Sequence, residues 1–321
     1  MMRVLITGAN GFVGAELRKA LITKGHAVKS AVRTVQEIHC MQQEYAQVEV
    51  GDISPTTHWD GALRDIDAVV HLAARVHIVK ENSTEHLSDF RKVNVGGTVN
   101  LALHAADSGV KRFIYLSSIK VNGEGSQTAY TENDTPVPKD AYAMSKWEAE
   151  QALHHVAEKT GLPITIIRPP IVYGPGVKAN FLSLMKLVKL GLPLPLKGLK
   201  NARSMIYIGN LIDAVIRCID RREAVGQTYL VSDGEDISSP ELVRRIAASF
   251  KMKPRLIPCP AKLLRFIGKT AGRSEQIEKI LGSLTVNMEK IRHELAWRPP
   301  YTIDYGLLET AKWFLTERRV Q

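Results

Sequence analysis

MRVLITGANGFVGAELRKAL, Met2 to Leu21, is the stretch that decides how this chain folds. Val4-Leu5-Ile6 is a short apolar run, suited to a strand buried on both faces. Glycines follow at Gly8, Gly11 and Gly14, and Phe12, Val13, Leu17 and Leu21 then recur at helical spacing. A strand, a glycine turn and a helix in that order make a cradle for phosphate. Gly8 permits the tight bend, Gly11 lets backbone N–H groups approach a pyrophosphate, and Gly14 lets the helix pack closely on the strand. The spacing is G-x-x-G-x-x-G rather than G-x-G-x-x-G, and glycine triplets are common in loops. The strand before this one and the helix after it turn it into a dinucleotide signature.

Composition bounds the rest. A chain of 321 residues can bury a sizeable core, as one large domain or two intimate ones. No apolar run approaches the roughly 18 residues that a membrane span needs. The chain enters its first strand at once, which leaves no room for a signal peptide. The cysteines Cys40, Cys218 and Cys259 are few and widely spaced, so neither a disulfide framework nor a zinc site is expected, and a reducing cytoplasm fits. A net charge of +10 suits an anionic ligand. The basic residues read as scattered and lack interleaved aromatics, so no nucleic-acid partner is expected.

After the first helix, His26 to Arg33 reads as a second strand with no Asp or Glu from Ala27 through Gln36. A carboxylate at the end of this strand would accept both adenosine ribose hydroxyls and repel a 2′-phosphate; an arginine does the reverse. Arg33 would therefore meet the 2′-phosphate of NADP, stack on adenine, or stand solvated at a strand end. A third strand, Ala46 to Val50, leads into Gly51-Asp52-Ile53, where Asp52 either accepts from the adenine amino group or serves a turn. Ala68 to Ala74 is an apolar strand whose small terminal residues, Ala73 and Ala74 after Leu72, would let backbone lie against the cofactor's phosphates and ribose. His71 within it reads as structural. A helix carrying Phe90, Val93 and Asn94 follows, and then Arg112 to Ser118, a buried strand ending in two serines. Hydroxyls at the carboxyl end of a parallel strand stand where open α/β sheets bind ligands. Leu162 to Arg168 is a sixth strand, stopped by Pro169 and Pro170.

The predicted fold is α/β: a Rossmann-type, doubly wound parallel sheet with a smaller, mostly helical C-terminal substrate lobe built from separated segments. Residues 1–168 and 203–232 would form the dinucleotide-binding domain. Residues 169–202 and 233–321 would form the lobe. The stretch Met205 to Ile208, the helix Leu211 to Asp220 and Gln227 to Val231 resume the α/β pattern. Ala261 to Lys269 is basic and amphipathic and reads as a lobe helix packing Leu263, Leu264, Phe266 and Ile267, with contact to a membrane as the alternative.

Ser118, Tyr142 and Lys146 can do coherent work together. Tyr142 and Lys146 stand four residues apart on a helix and so share a face. A phenol with a pKa of about 10 is a poor acid-base catalyst at neutral pH. A nearby lysine ammonium and a positive nicotinamide would favour phenolate and lower it. Tyr142 would then pass a proton to or from a carbonyl or alcohol oxygen as hydride moves, with Ser118 holding the same oxygen and Lys146 bonding the nicotinamide ribose.

The ordered series of motifs resembles the extended short-chain dehydrogenase/reductase family. It comprises Thr7-Gly-x-x-Gly11-x-x-Gly14, Gly51-Asp52, His71-Leu-Ala-Ala74, Asn94-Val-x-Gly-Thr98, Ser117-Ser118, Tyr142-x-x-x-Lys146, Arg168-Pro-x-x-Val-Tyr-Gly-Pro175 and Leu295-Ala-Trp-Arg-Pro299. The likeness spans nearly the whole chain. It implies a nicotinamide cofactor, NADP(H) or NAD(H), held by Gly8, Gly11, Phe12, Val13, Gly14, Arg33, Asp52, Ile53, Leu72, Ala73, Ala74, Tyr142, Lys146 and Pro169, with no metal. It implies a UDP-sugar held by Ser118, Asn180 and Arg203, the last a good bidentate partner for a diphosphate; Asn180 as a simple helix cap is the plainer alternative. A homodimer through the helices near Asn94 to His104 and Tyr142 to His155 is also implied.

Two departures from the family pattern matter. The ribose-reading acid is missing. The usual V-Y-G after the serine is Val121-Asn122-Gly123. Ile119-Lys120 stands where family dehydratases carry Asp-Glu, so elimination of water is not expected. Two reactions remain: a 4-epimerase, which keeps NAD bound, and a 4-ketoreductase, which spends a dissociable reduced cofactor. The segments around Ser118 and Asn180 look most like a bacterial surface-polysaccharide subgroup that holds UDP-N-acetylquinovosamine dehydrogenases beside UDP-glucose 4-epimerases. Arg33 inclines the reading to NADPH, and so to reduction of a UDP-4-keto-6-deoxy-hexosamine, with the epimerase as the alternative. A non-catalytic dinucleotide sensor is the third reading, and the presence of both Tyr142 and Lys146 counts against it.

Overall fold

The computed structural model describes residues 1–35, 45–76, 83–270, 272 and 274–317; Gln36, Cys40 and the Ile267 side chain lie outside the described residues. The chain opens with β1 (Arg3–Thr7), α1 (Phe12–Thr23), β2 (Ala27–Val32), β3 (Tyr45–Glu49), a short α2 (Asp60–Leu63) and β4 (Ala68–His71). Next come α3 (Ser83–Phe90), a π-helical turn (Arg91–Gly97), α4 (Thr98–Asp107), β5 (Arg112–Leu116), α5 (Ala141–Thr160) and β6 (Ile164–Arg168). The remainder is β7 (Ile171–Tyr173), α6 (Ala179–Lys189), β8 (Leu194–Lys197), β9 (Met205–Tyr207), α7 (Ile208–Asp220), β10 (Thr228–Leu230) and α8 (Ser239–Ser249). It closes with β11 (Leu256–Pro258), α9 (Ala261–Thr270), α10 (Ser274–Leu281), α11 (Glu289–Leu295) and α12 (Ile303–Glu317).

Seven of these strands form one sheet in the order β10-β6-β5-β4-β1-β2-β3, and every pairing is parallel. Successive residues of a strand point to opposite faces, and β1 shows why its run is apolar throughout. Val4 and Ile6 join Leu17 and Leu21 of α1 and Leu211 and Val215 of α7 on one side. Leu5 joins Leu101 and Ala105 of α4 and Ala149 and Leu153 of α5 on the other. The order reverses between β1 and β4, so the carboxyl ends of these strands open onto the crevice where such sheets bind ligands.

Strand ends differ from the sequence expectation. β4 stops at His71 because the Ala73 N–H leaves the ladder and donates to Thr7 Oγ1 at 3.2 Å. Met205 to Tyr207 does not join the large sheet; it pairs with β7 in a separate two-stranded sheet, while β10 supplies the seventh strand. The α9 helix does not pack all its apolar residues: Leu264 is buried, whereas Leu263 is 48% and Phe266 65% exposed. Among the described residues no helix is long and apolar enough to cross a membrane.

Candidate active site

The glycine turn is shaped by close approaches. Gly8 has φ +69, a left-handed conformation that disfavours a side chain, and a Cβ there would stand 2.9 Å from the Ala73 nitrogen. A Cβ on Gly14 would stand 2.2 Å from the Gly8 carbonyl oxygen, so only glycine lets α1 start this close to β1. Gly11 is the N-cap residue of α1, and no side chain caps the helix. The first-turn N–H groups of Phe12, Val13 and Gly14 therefore lack an intrahelical acceptor and suit a pyrophosphate. This cradle fits a dinucleotide. Phe12 also lies over Gly176, at 3.4 Å from where its Cβ would be, which joins the turn to the segment beyond β7. Ile53 packs its Cγ2 against the open face of Gly97.

At the ends of β2 and β3, Arg33 Nε meets Asp52 Oδ1 at 2.9 Å, both side chains largely exposed. The sequence reading gave these two residues separate tasks. The fold pairs them, so the guanidinium already has a carboxylate partner at the edge where an adenosine ribose would lie.

On the other side of the crevice, α5 is started by Asp140, whose side chain accepts the Ala143 N–H at 2.7 Å. This puts Tyr142 and Lys146 in the first two turns. Lys146 is nearly fully buried, and its Nζ donates to the Leu116 carbonyl at 2.7 Å and lies 4.4 Å over the Tyr115 ring. That bond ties α5 to the end of β5, two residues before Ser118. Burial lowers the Lys146 ammonium to about 7, against an opposing pull from Glu150. Ser118 is half-buried and starts the short helical turn Ile119–Val121, its Oγ accepting the Lys120 N–H at 3.3 Å. Pro169 lies against this turn, its carbonyl accepting the Ile119 N–H at 3.0 Å.

Tyr142 departs from expectation. Burial, and then the Asp140 carboxylate, push its phenol above the ordinary tyrosine value rather than below it. The cause is geometric: the Lys146 ammonium is held on the Leu116 carbonyl, and Asp140 stands at the start of Tyr142's own helix.

Several residues to which the sequence reading gave no catalytic or binding role hold this side together. The Asn94 side-chain amide donates to Ser145 Oγ at 2.9 Å and to the Arg75 carbonyl at 3.1 Å, and its oxygen accepts the Arg75 N–H at 2.8 Å. Ser145 in turn donates to the Tyr142 carbonyl at 2.8 Å. His71 bridges Thr7 Oγ1 at 2.6 Å and Thr98 Oγ1 at 2.9 Å, and burial with the nearby Lys146 charge lowers it to about 3. It is a neutral structural clamp between β4, β1 and α4. Lys120 forms an ion pair with Asp140, and burial of that carboxylate is outweighed by Lys120 and the Ala143 N–H, which hold it below the usual range. Asn122, the departure from V-Y-G, accepts from Arg168 Nη1 at 2.9 Å, while Arg168 also pairs with the buried Glu150 at 2.5 Å. A short capping residue before a helix, as in Asp140-Ala-Tyr-Ala143, was a signal available in the sequence.

The two substrate candidates are placed differently. Arg203 is partly buried and donates its Nη1 to the carbonyls of Lys279 and Gly282, the latter at 3.1 Å. It is linked to the Ser118 side through Glu124, which lies 3.5 Å from Lys279 Nζ and 3.6 Å from Lys120 Nζ. Asn180 is exposed in the first turn of α6, outside that web; the N-cap is Lys178 and no side chain caps this helix, so the plain capping role is excluded. Among the described residues no group of His, Cys, Asp or Glu could hold a metal ion.

A parallel sheet reversing at β1 and β4, a glycine cradle at that point and a Tyr-Lys pair across the crevice define a dinucleotide-dependent oxidoreductase fold. The chain belongs to the NAD dependent epimerase/dehydratase family, whose profile matches residues 4–232. It is an enzyme of the extended short-chain dehydrogenase type. It is 44% identical over 317 residues to a UDP-glucose 4-epimerase of Vibrio cholerae, covering 97% of this chain and 95% of that protein. It is 28% identical over 325 residues to the N-acetyl-alpha-D-glucosaminyl-diphospho-ditrans,octacis-undecaprenol 4-epimerase of Escherichia coli O157:H7, covering 97% and 94%. Among solved structures it resembles UDP-glucuronic acid 4-epimerase from Bacillus cereus in complex with NAD, with a TM-score of 0.80, 20% identity and coverage of 100% and 99%.

Proposed function

We propose that this chain is a UDP-sugar 4-epimerase acting on a UDP-hexose or UDP-N-acetylhexosamine and keeping NAD bound throughout its cycle. The observation that carries this reading is the 44% identity, across nearly the full length of both chains, to the Vibrio cholerae UDP-glucose 4-epimerase. The sequence reading favoured an NADPH-dependent 4-ketoreductase on the strength of Arg33. Its pairing with Asp52 at 2.9 Å removes that support, because a compensated arginine attracts a 2′-phosphate less. The epimerase alternative therefore becomes the main reading.

Bound NAD would supply a hydride acceptor that can return the same hydride. The chain's residues do the rest. Tyr142 takes the proton from the sugar's 4-hydroxyl and gives one back to the 4-keto oxygen. Ser118 hydrogen-bonds that oxygen, and Lys146, with N–H donors beyond its bond to Leu116, holds the nicotinamide ribose and adds positive charge beside the phenol once the crevice is filled. The cradle at Gly8, Gly11 and Gly14 with Phe12 and Val13 holds the pyrophosphate. Leu72, Ala73, Ala74 and Pro169 line the cofactor, with Ile53, Asp52 and Arg33 at its adenosine end. Arg203 and Asn180 hold the UDP diphosphate. Residues 1–168 and 203–232 act as the cofactor domain, and residues 169–202 and 233–321 as the lobe over the sugar. The reading also includes a cytoplasmic homodimer through the α4 and α5 helices.

The test is to denature the purified protein and assay the released dinucleotide, then incubate native enzyme with UDP-glucose and UDP-N-acetylglucosamine without added cofactor. Released NAD and 4-epimerised product are expected, and Tyr142→Phe is expected to lower turnover by about 100-fold or more. Oxidation of added NADPH by a UDP-4-keto-6-deoxy-hexosamine, with no epimerisation, would return the ketoreductase.

A further inference from the structure

The basic excess of the chain is concentrated in two segments. Residues 178–200 contain five lysines and residues 250–270 contain six lysines and arginines, and neither segment has an Asp or Glu. Since the whole chain is +10, the remainder carries no positive excess at all. The sequence reading of scattered charge overlooked this because the segments are fifty residues apart. The fold joins them. β8 pairs with β11, with Leu256 opposite Leu194 and Pro258 opposite Lys197, and the Leu194 N–H donates to the Arg255 carbonyl at 2.7 Å. Three residues beyond β11, α9 begins.

The two segments also expose large apolar side chains. Leu190 and Phe266 are each 65% exposed, and Leu192, Ile257 and Leu263 are also exposed. On α9, Lys262, Phe266 and Lys269 follow at four- and three-residue intervals and so share one stripe, with Leu263 beside it. Leu264 turns inward. Arg265 of α9 pairs with Glu278 of α10 at 2.7 Å.

We propose that the face formed by the α6–β8 turn, β11 and α9 docks on an anionic phospholipid bilayer, with Phe266, Leu263 and Leu190 entering the headgroup boundary and the surrounding lysines facing the lipid phosphates. Two observations select this occupant. A bare basic patch would suit any polyanion, but exposed aromatic and aliphatic side chains set within the charge are the pattern of an interfacial helix. A second copy of the chain would bring like charge against like charge. The bound state is peripheral, because no helix of the described residues is long and apolar enough to span a bilayer.

Co-sedimentation of the full-length enzyme with vesicles tests this. Binding to vesicles of equal phosphatidylglycerol and phosphatidylcholine is expected, with at least tenfold weaker binding to phosphatidylcholine alone and a marked loss in 0.5 M salt. The double variant Leu190→Ser/Phe266→Ser is expected to bind the anionic vesicles at least tenfold more weakly, with its circular dichroism, thermal midpoint and turnover of a soluble UDP-sugar unchanged. A second variant, Lys262→Gln/Lys269→Gln, is expected to lose binding and salt sensitivity together. Wild-type protein that ignores anionic vesicles overturns the proposal. So does binding that the serine variant retains, which would mark a simple polyanion site competed by single-stranded nucleic acid. Concentration-dependent self-association abolished by Phe266→Ser would instead assign the face to a second copy.

Discussion

Lys146 is the residue with the largest conflict between stability and use. Its amine is taken out of water and lowered to about 7, while in an unfolded chain it would titrate near 10.5. Between those values the unfolded state binds the proton more, so protein freed of dinucleotide gains stability as pH rises from 7 toward 9. The slope has a ceiling of about 1.4 kcal/mol per pH unit from this one group. Urea unfolding at pH 7, 8 and 9 is expected to show it, and Lys146→Met is expected to flatten it while abolishing turnover. Identical slopes in the two proteins would mean that the lysine is not desolvated as described. His71 works in the acid direction. Its folded value of about 3 lies below the ordinary 6.5, so stability falls as pH drops below 6.5, and His71→Asn, though less stable at neutral pH, is expected to lose less on going from pH 6.5 to 5. Arg33 and Asp52 make a third residue-scale case. Asp52→Asn frees the guanidinium, and fluorescence titration is expected to shift the NADP-to-NAD affinity ratio toward NADP by roughly tenfold. An unchanged ratio would show that Arg33 does not face the ribose. At this scale the sequence was informative about identity and poor about partners. Arg33 and Asp52 could each be singled out from the sequence, but nineteen positions separate them in the chain and only the pairing of β2 with β3 brings them together.

The α5 helix shows how an element positions chemistry. Asp140 caps it through the Ala143 N–H and pairs with Lys120, which follows Ser118 by two residues. One carboxylate thus joins the strand end carrying the serine to the helix start carrying the tyrosine. Removing the cap in Asp140→Ala is expected to cost about 1–2 kcal/mol in chemical denaturation and to lower kcat. Asp140→Asn keeps an acceptor for the Ala143 N–H, so it should retain most of the stability but lose the ion pair. Equal destabilisation by both would mean that the ion pair, not the cap, carries the effect. The large sheet's elements were legible because parallel strands buried on both faces write continuous apolar runs, such as Val4-Leu5-Ile6 and Ala68-Val-Val70. The π-helical turn Arg91–Gly97 was not. Within it Gly97 lies against Ile53 and Asn94 bonds Ser145, and neither contact leaves a periodic trace.

Across the whole molecule, the part least legible in sequence is the junction between the sheet and the later segments. β7 and β9 lie 34 residues apart at their first positions, and each has only three residues, too short for a pattern to declare its partner. What fixes their neighbourhood is Asp233, a buried carboxylate. It accepts the Tyr173 hydroxyl at 2.7 Å, the Tyr207 N–H at 2.8 Å and the Asn210 side-chain amide at 2.7 Å. Asn210 then exchanges hydrogen bonds with the backbone of Tyr301, at 2.9 Å in each direction. Three separated stretches of chain meet at one carboxylate and a fourth joins through Asn210, and the apolar cluster around it runs without a break from Val4 and Ile6 of β1 to Phe314 of α12. A substitution there should therefore be felt by the whole molecule. Asp233→Ala removes the acceptor shared by three buried donors, at a cost of about 3 kcal/mol or more. In a chain of this size that corresponds to a fall in Tm of at least about 5 °C. Because the cluster is continuous, calorimetry is expected to show one transition moved down, with cofactor release and loss of secondary structure coinciding. Two resolved transitions, with the sheet melting at its original temperature, would show that the later segments fold as an independent unit and that Asp233 serves only them.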